Sequence, residues 1–369
     1  VSARWRYLAD DGVGASFGLA ADEALVRGQG TGTSPPTLRL YTYASHCALV
    51  GRFQRVAAEV QLDVCRRHGI AVNRRPTGGG AILMGADQLG VAIAAPAGDL
   101  PRTYDRVREL FERFGAGIVA ALATFGVRAA YRRKNDIEVE GRKIAGLGIY
   151  FDRGGGLLFH ASLLVDLDIP LMLSVLRTPF EKISDKAVAT VAERIATLRG
   201  LTGSGVTVAE VRERVRDAYA RTLGVELEAG DLTAEERAVV ARLEAERYAT
   251  EAWIYQDPAV PDASGSATVK TPGGLLSVHL TLAGDVIKAV YLTGDFFSDE
   301  AAVLAVERAL RWHAADPVRL RGTLEELERS GQGLGQISAE EVARAVLAAV
   351  EAARRHEHSA VARGCFVNP

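Results

Sequence analysis

Apolar and polar residues recur along this chain with two periods, one helical and one alternating, and these periods divide it into elements. Residues 16–28 (SFGLAADEALVRG) gather their apolar side chains on one face of a helix, and Tyr104–Phe125 makes a longer amphipathic helix. A third helix is expected over Val56–His68. Thr37–Tyr43 (TLRLYTY) alternates, as a half-buried strand does. Ile70–Arg75 predicts a short strand, and Ala81–Leu83 with Leu89–Ala95 a hairpin around a glycine-rich turn. Asp136–Val139 and Lys143–Phe151 form a strand pair joined by Glu140 and Gly141, and a second glycine run at Arg153–Gly156 leads into Leu157–Asp166.

Three later helices open with capping-box spacing: Thr207 with Glu210, Thr233 with Glu236, and Ser338 with Glu341. Strands and helices come in mixed order with many hairpins, which predicts an α+β fold with mixed or antiparallel sheets. Gln256–Gly274, rich in Pro, Gly, Ser and Ala, has the composition of a linker. Residues 1–256 are therefore expected to form a large domain and residues 257–369 a small one. The small domain would hold strands at Leu275–Leu282 and Val286–Thr293 and a helix capped near Ser298.

Composition narrows the function. A length of 369 residues suits two domains, and 48% hydrophobic with 24% charged residues is ordinary for a globular protein. A net charge of −2 argues against a nucleic-acid partner held by bulk electrostatics. The longest uncharged apolar run, Phe114–Val127, is too short to span a membrane, and the N-terminal stretch lacks an apolar signal segment, so a cytoplasmic protein with no membrane partner is expected. Cys47, Cys65 and Cys365 are irregularly spaced and suggest neither zinc nor a disulfide framework. Cys47 and Cys65 are expected in or beside helices.

The densest chemistry lies at Arg74-Arg75-Pro76-Thr77-Gly78-Gly79-Gly80-Ala81. Consecutive glycines let main-chain amides approach an anion, and two arginine forks suit phosphate or carboxylate. A tight hairpin turn with solvated arginines would use the same residues. About sixty residues on come Lys134-Asn135-Asp136 and Gly141-Arg142-Lys143-Ile144-Ala145-Gly146. There a lysine could bridge a carboxylate and a phosphate, and Asn135 and Asp136 offer hard oxygens for Mg2+; a solvated hairpin lysine beside turn residues is the plain alternative. His160, inside the apolar stretch Leu157–Leu164, is either a hydrogen-bonded core residue or a ligand-facing one.

Taken in order, these segments resemble the lipoate–protein ligase A family of the biotin/lipoate ligase superfamily. The matching stretches are Arg74–Leu83, Asn135–Gly146 and His160–Leu164. Lys186–Leu198 with Arg194, Trp253, and the Gly294-Asp295-Phe296-Phe297 run extend the likeness over nearly the whole chain. The resemblance implies that ATP and lipoate are substrates, with Mg2+. It implies that Arg75 and the Gly78–Ala81 backbone hold lipoate's carboxylate and the ATP phosphates, with Arg74, Thr77, Ala145 and Gly146 in the same site. Lys143 would be the catalytic cation, Asp136 with Asn135 would hold Mg2+ and nucleotide, and His160 would line the lipoyl tunnel.

The acceptor would be a lipoyl-bearing protein: the glycine cleavage H protein or the acyltransferase lipoyl domain of a 2-oxoacid dehydrogenase. Two positions depart from the family pattern: Met84 stands where a His is usual, and Gln88 where an Asn is usual. Rival readings are an octanoyltransferase, which needs a cysteine that Arg66–Gly364 does not supply, a biotin ligase, whose Gly-Arg-Gly-Arg pattern is missing, and a non-catalytic lipoyl-binding relative.

Overall fold

The computed structural model describes residues 3–98, 104–132, 135–177, 191–203, 205–256 and 263–363. Its largest sheet has eight strands in the order β11-β1-β2-β6-β10-β9-β8-β7. These are β1 (Ala3–Val13), β2 (Thr37–Tyr43), β6 (Gln88–Pro96), β7 (Ala130–Arg132), β8 (Asp136–Val139), β9 (Arg142–Phe151), β10 (Gly156–Leu164) and β11 (Val225–Ala229). β11, β1 and β2 run parallel, and the rest pair antiparallel, so the sheet is mixed, as expected for an α+β fold. A second, three-stranded sheet, β4-β3-β5, combines β3 (Cys47–Val50), β4 (Ala71–Arg74) and β5 (Ile82–Met84).

One face of the large sheet closes the main core. Leu89, Val91 and Ile93 of β6, Leu157, Phe159 and Leu163 of β10, and Leu147 and Ile149 of β9 pack with Phe111, Phe114 and Ile118 of α4 (Tyr104–Ala123). The buried alternation in β6 and β10 thus puts odd-numbered side chains into the core and even-numbered ones on the opposite face. That opposite face meets α1 (Ala15–Thr31) and the small sheet. Glu23 of α1, fully buried, is held there by Arg27 at 2.5 Å, by Arg247 at 2.7 Å and by the Tyr248 hydroxyl. The last two sit on a π-helical turn, Glu244–Tyr248.

The C-terminal residues form a four-stranded antiparallel sheet, β12-β13-β14-β15, with its own apolar cluster. Its strands are Gly265–Thr271, Gly274–Ala283, Val286–Gly294 and His313–Ala314. Phe53 from the N-terminal part joins that cluster and stacks on Phe296, with ring centroids 4.8 Å apart.

Several expectations need correction. Val56–His68 is two helices, α2 (Val56–Glu59) and α3 (Leu62–His68), because Val60 leaves the helix to bridge Leu176. Cys47 lies in β3, not in a helix. Gly265–Thr271, read as linker, is the edge strand β12: Ala267 and Val269 pack on the apolar cluster while the residues between them face out. Residues 257–262 of that stretch lie outside the described residues, as do Lys134, Lys186–Thr190 and Cys365. The helix expected near Ser298 is capped by Asp299, whose side chain accepts from the Ala302 amide. Both halves of the capping box form at Thr233 and at Ser338, but at Thr207 Glu210 instead pairs with Arg214 at 2.5 Å. Strands β1, β3 and β11 carry no signal that the sequence pattern resolved.

The glycine-rich turn is where the N-terminal part meets the C-terminal sheet. A Cβ on Gly78 would lie 2.0 Å from the Phe296 carbonyl oxygen, and one on Gly79 would lie 3.0 Å from the Phe297 ring. Gly80 has open space. Gly78→Ala is therefore expected to lower stability by about 1–3 kcal/mol through overpacking, and Gly80→Ala to change it by less than about 0.5 kcal/mol, in urea denaturation monitored by tryptophan fluorescence.

Candidate active site

The face of the large sheet away from the main core is stripped of side-chain bulk at three places. Register pairs Asp136 of β8 with Gly146 of β9, Gly146 with Ser162 of β10, Ser162 with Gly90 of β6, and Gly90 with Tyr41 of β2. One row above, Gly148 pairs with His160. A Cβ at Gly90 would sit 2.5 Å from the Tyr41 ring, one at Gly148 2.3 Å from the His160 imidazole, and one at Gly146 3.0 Å from Lys143 Nζ. Glycine inside these strands lets neighbouring side chains lie flat across the sheet.

Above this floor lies a cavity of about 340 Å³. Ile82, Leu83 and Met84 of the small sheet, with Leu49, roof it, and Leu167, Met172, Leu176 and Ile195 close its side. Apolar surface dominates the wall, with a few polar side chains among it, the arrangement common in small-molecule sites. From Lys143 to Tyr41 the floor crosses three interstrand steps, about 14 Å at about 4.8 Å each.

Lys143 reaches this face through a β-bulge. Ile137 pairs with Ala145 but Glu138 with Lys143, so one extra residue, Ile144, enters β9. Ile144 and Ala145 are both fully buried in the main core. The extra residue flips the alternation and puts Lys143 on the face of Gly146 and Gly148. Its backbone is fixed by hydrogen bonds with Arg194 and Ala196, and Lys143 Nζ meets Asp136 Oδ1 at 2.7 Å. Asn135 lines the cavity beside them and donates from Nδ2 to the Leu147 carbonyl at 3.1 Å.

The two arginines have separate roles. Arg74 turns away from the cavity: its buried guanidinium donates to the carbonyls of Gly51, Arg52, Gln54, Trp253, Ile254 and Gln256 at 2.7–3.3 Å. The expectation that it binds a substrate anion is corrected on that ground, since its donors already hold main-chain oxygens. Arg75 lines the cavity and donates to the carbonyls of Leu49, Gly78 and Gly80 at 2.7–3.1 Å, bracing the glycine turn. Burial pulls Arg75 down to about 10, partly offset by the Tyr43 phenol, and it remains a cation at neutral pH.

Of the turn, Gly80 and Ala81 border the cavity, whereas Gly78 and Gly79 face the C-terminal loop and Ala145 faces the core. Thr77 is buried, with its hydroxyl 2.8 Å from His160 Nε2. The His160 ring lines the cavity. Burial first, and the Arg75 charge second, push its imidazole down to about 3, so it is neutral at physiological pH. It is thus both hydrogen-bonded and cavity-facing.

Met84 joins the apolar wall, and Gln88 ties the start of β6 to the Asp166 carbonyl at 2.5 Å, so neither adds a charged group at the Lys143 end. Sequence reasoning missed Leu19, Tyr41, Tyr43, Ser162 and Met172 as lining residues. The odd-numbered alternation of β2 held a usable signal for the tyrosines; helix-borne Met172 had none. Neither Cys47 nor Cys65 lines the cavity, and burial raises both thiols, that of Cys47 well above the ordinary cysteine range. Among the described residues no group of three or more His, Cys, Asp or Glu side chains gathers, and no helix is long and apolar enough to cross a membrane.

Residues 15–220 match the family model of the lipoyl protein ligase A/B catalytic domain. Octanoyltransferase LipM from Kyrpidia tusciae is 32% identical over 274 residues, covering 68% of this chain and 98% of the relative. Among solved structures, a bipartite lipoate protein ligase from Thermoplasma acidophilum, described with its E2 lipoyl domain, aligns with a TM-score of 0.62 at 28% identity over 70% of this chain and 99% of its own. Lipoate-protein ligase A bound with ATP aligns at 0.58 with 26% identity over 69% and 99%. LipL1 from P. falciparum, 16% identical, shares the fold over 93% of this chain and 99% of its own, with a TM-score of 0.70.

Two measurements check these assignments. Arg74→Met is expected to destabilise the protein by about 3–5 kcal/mol in urea denaturation, because it strands buried carbonyls. His160 has a folded pKa of about 3, below the unfolded value of about 6.5. The unfolded state therefore binds the proton first, and this site costs stability as pH falls from about 6.5 towards 3. Over that window the stability of His160→Gln should fall less steeply than that of the parent; parallel profiles would contradict the assignment.

Proposed function

The chain belongs to the lipoyl protein ligase A/B catalytic-domain family, and from that premise we propose that it activates lipoate with ATP as lipoyl-AMP and transfers the lipoyl group to a lysine of an acceptor protein. The observation that carries this reading is the apolar cavity that ends at Lys143 and has no cysteine among the described residues of its wall. A medium-length acyl chain would lie across the glycine floor, with its carboxylate at the Lys143 end.

Lys143 supplies fixed positive charge where the carboxylate and the α-phosphate must approach each other, and the buried Arg75 cation braces the glycine turn on the same cavity wall. A carboxylate oxygen forms a bond to the α-phosphorus, and the bond to pyrophosphate breaks with its electron pair. The acceptor amine then attacks the acyl carbon, AMP leaves, and the amine proton passes to solvent. Asp136 and Asn135 are the hard-oxygen groups beside Lys143, and one carboxylate with nucleotide phosphates suits Mg2+, which would neutralise phosphate charge when bound. The neutral His160, tied to Thr77, presents no charge to the acyl chain. Ligation of this kind rests on positioning in a water-poor site and needs no covalent enzyme intermediate.

The acceptor class we favour is a lipoyl domain, of a glycine cleavage H protein or of a 2-oxoacid dehydrogenase acyltransferase, with the reaction in the cytoplasm. We assign residues 1–256 to the catalytic unit and 257–369 to an accessory unit. Octanoyl transfer is the second reading, favoured by the likeness to octanoyltransferase LipM. Its covalent route needs an activated thiol, and the two described cysteines are buried away from the cavity.

Pyrophosphate release from ATP and Mg2+ in the presence of lipoate tests the proposal. Lys143→Ala should reduce it by about 100-fold or more, the scale of losing one preorganised charge-stabilising donor, while the urea midpoint stays within experimental scatter. Unreduced lipoate-dependent release by Lys143→Ala would overturn the assignment.

A further inference from the structure

Ser162 of β10 presents a hydroxyl to the cavity floor that the adenylation chemistry leaves unassigned. Even-numbered residues of β10 face away from the main core, so Ser162 shares the cavity side with His160 and Leu164, and all three line the cavity. It stands between two glycines, paired with Gly146 of β9 on one side and Gly90 of β6 on the other. Neither cross-strand neighbour has a side chain of its own to cover it. Ser162 is half-buried, its hydroxyl makes no hydrogen bond among the described residues, and its oxygen is not enclosed by protein.

The room over the two glycines is filled differently. Over Gly146 lies Lys143: a Cβ there would be 3.0 Å from Nζ and 3.1 Å from Cε. Over Gly90 lies the Tyr41 ring, 2.5–2.8 Å from the Cβ position. Ser162 therefore separates an ammonium from an aromatic ring along the floor. Cross-strand neighbours place their Cβ atoms about 5 Å apart, so the Lys143 ammonium and the Ser162 hydroxyl flank one spot about as wide as a carboxylate with a hydrogen bond on each side. Asp136, 2.7 Å from Lys143 Nζ, pairs with Gly146 from β8, on the other side from Ser162, which leaves the Ser162 side of the lysine to an incoming anion. A carboxylate has more acceptor capacity than one ammonium uses, and a serine hydroxyl can turn its proton towards either oxygen.

We propose that Ser162 is the second donor to the reacting carboxylate: Lys143 and the Ser162 hydroxyl hold its two oxygens over Gly146, and the acyl chain runs on from there towards Tyr41. This rests on the adenylating reading above and names the residue that orients the carboxylate. Once the adenylate has formed, the remaining acyl oxygen stays beside the same hydroxyl, which donates to it as negative charge grows during attack by the acceptor amine.

The test is calorimetric binding of two ligands to the full chain and to Ser162→Ala: lipoate, and lipoyl alcohol, in which a hydroxymethyl group replaces the carboxylate. The two share chain and ring and differ at the reacting end alone. Ser162→Ala should weaken lipoate binding roughly 10–100-fold, the scale of one hydrogen bond to a charged group, and lipoyl alcohol binding by less than about threefold. Unchanged lipoate binding overturns the inference, and so does an equal loss for both ligands, the signature of a purely structural role. Should Ser162→Ala not fold, Ser162→Gly, which extends the glycine row, carries the same test with the same outcomes. Any of these results leaves the ligase reading standing provided the parent binds lipoate and releases pyrophosphate in response to it. A parent that does not bind lipoate would overturn the ligase reading, and this inference with it.

Discussion

A sheet that closes a hydrophobic core on one face and holds an elongated ligand on the other must lose side-chain volume on the second face without losing strand pairing. Here the loss is met by glycine at positions 90, 146 and 148, in the two strands β6 and β9 that flank β10. Gly90, Gly146 and Gly148 keep their ladder partners, so the sheet continues, yet each leaves room for a neighbouring side chain to lie across it. Tyr41, Lys143 and His160 occupy that room and become the surface of the cavity. Everything proposed for the site depends on this row: it sets the depth of the hollow, its direction across the strands and the separation of its ends.

The second dependency is the bulge at Ile144. Strict alternation would send Lys143 into the core with Ala145 and Leu147. One extra buried residue reverses its direction and places its ammonium over Gly146 and against Asp136. Backbone bonds to Arg194 and Ala196 then fix the strand from the far side. The cation is therefore located by main-chain geometry, while its side chain stays part-exposed at the cavity's polar end, where charged substrates would arrive. Arg74 and Arg75 work through the backbone as well, each donating to carbonyls, so the glycine turn keeps its shape by internal hydrogen bonding.

Much of this was legible in the sequence, and what was not has physical causes. Strands with clean alternation, such as Thr37–Tyr43, and hairpins with glycine turns declared themselves. So did the motif residues Lys143, Asn135 and His160, which the fold brings to one cavity. Arg74 was misread because an arginine beside glycines has the same appearance whether it faces an anion or six carbonyls; only tertiary contacts separate the two. The roles of Gly78 and Gly79 were hidden for the same reason, since Phe296 and Phe297 lie more than two hundred residues away in the chain. Cys47 was taken for helix-adjacent because Cys47–Val50 is too short to display a period. The tyrosines of β2 were read as strand residues, and nothing local showed that their face lines a cavity.

The account turns on whether the acyl group is held as a non-covalent adenylate or as an enzyme thioester. Cys47 and Cys65 are buried away from the cavity, with thiols raised by burial, which favours the adenylate. Intact-mass spectrometry of the full chain after a single turnover, quenched before acceptor is added, distinguishes the two. With ATP, Mg2+ and lipoate, the account predicts protein of unmodified mass and lipoyl-AMP released on denaturation. An acyl adduct on cysteine, formed from an octanoyl-carrier donor without ATP, would contradict it.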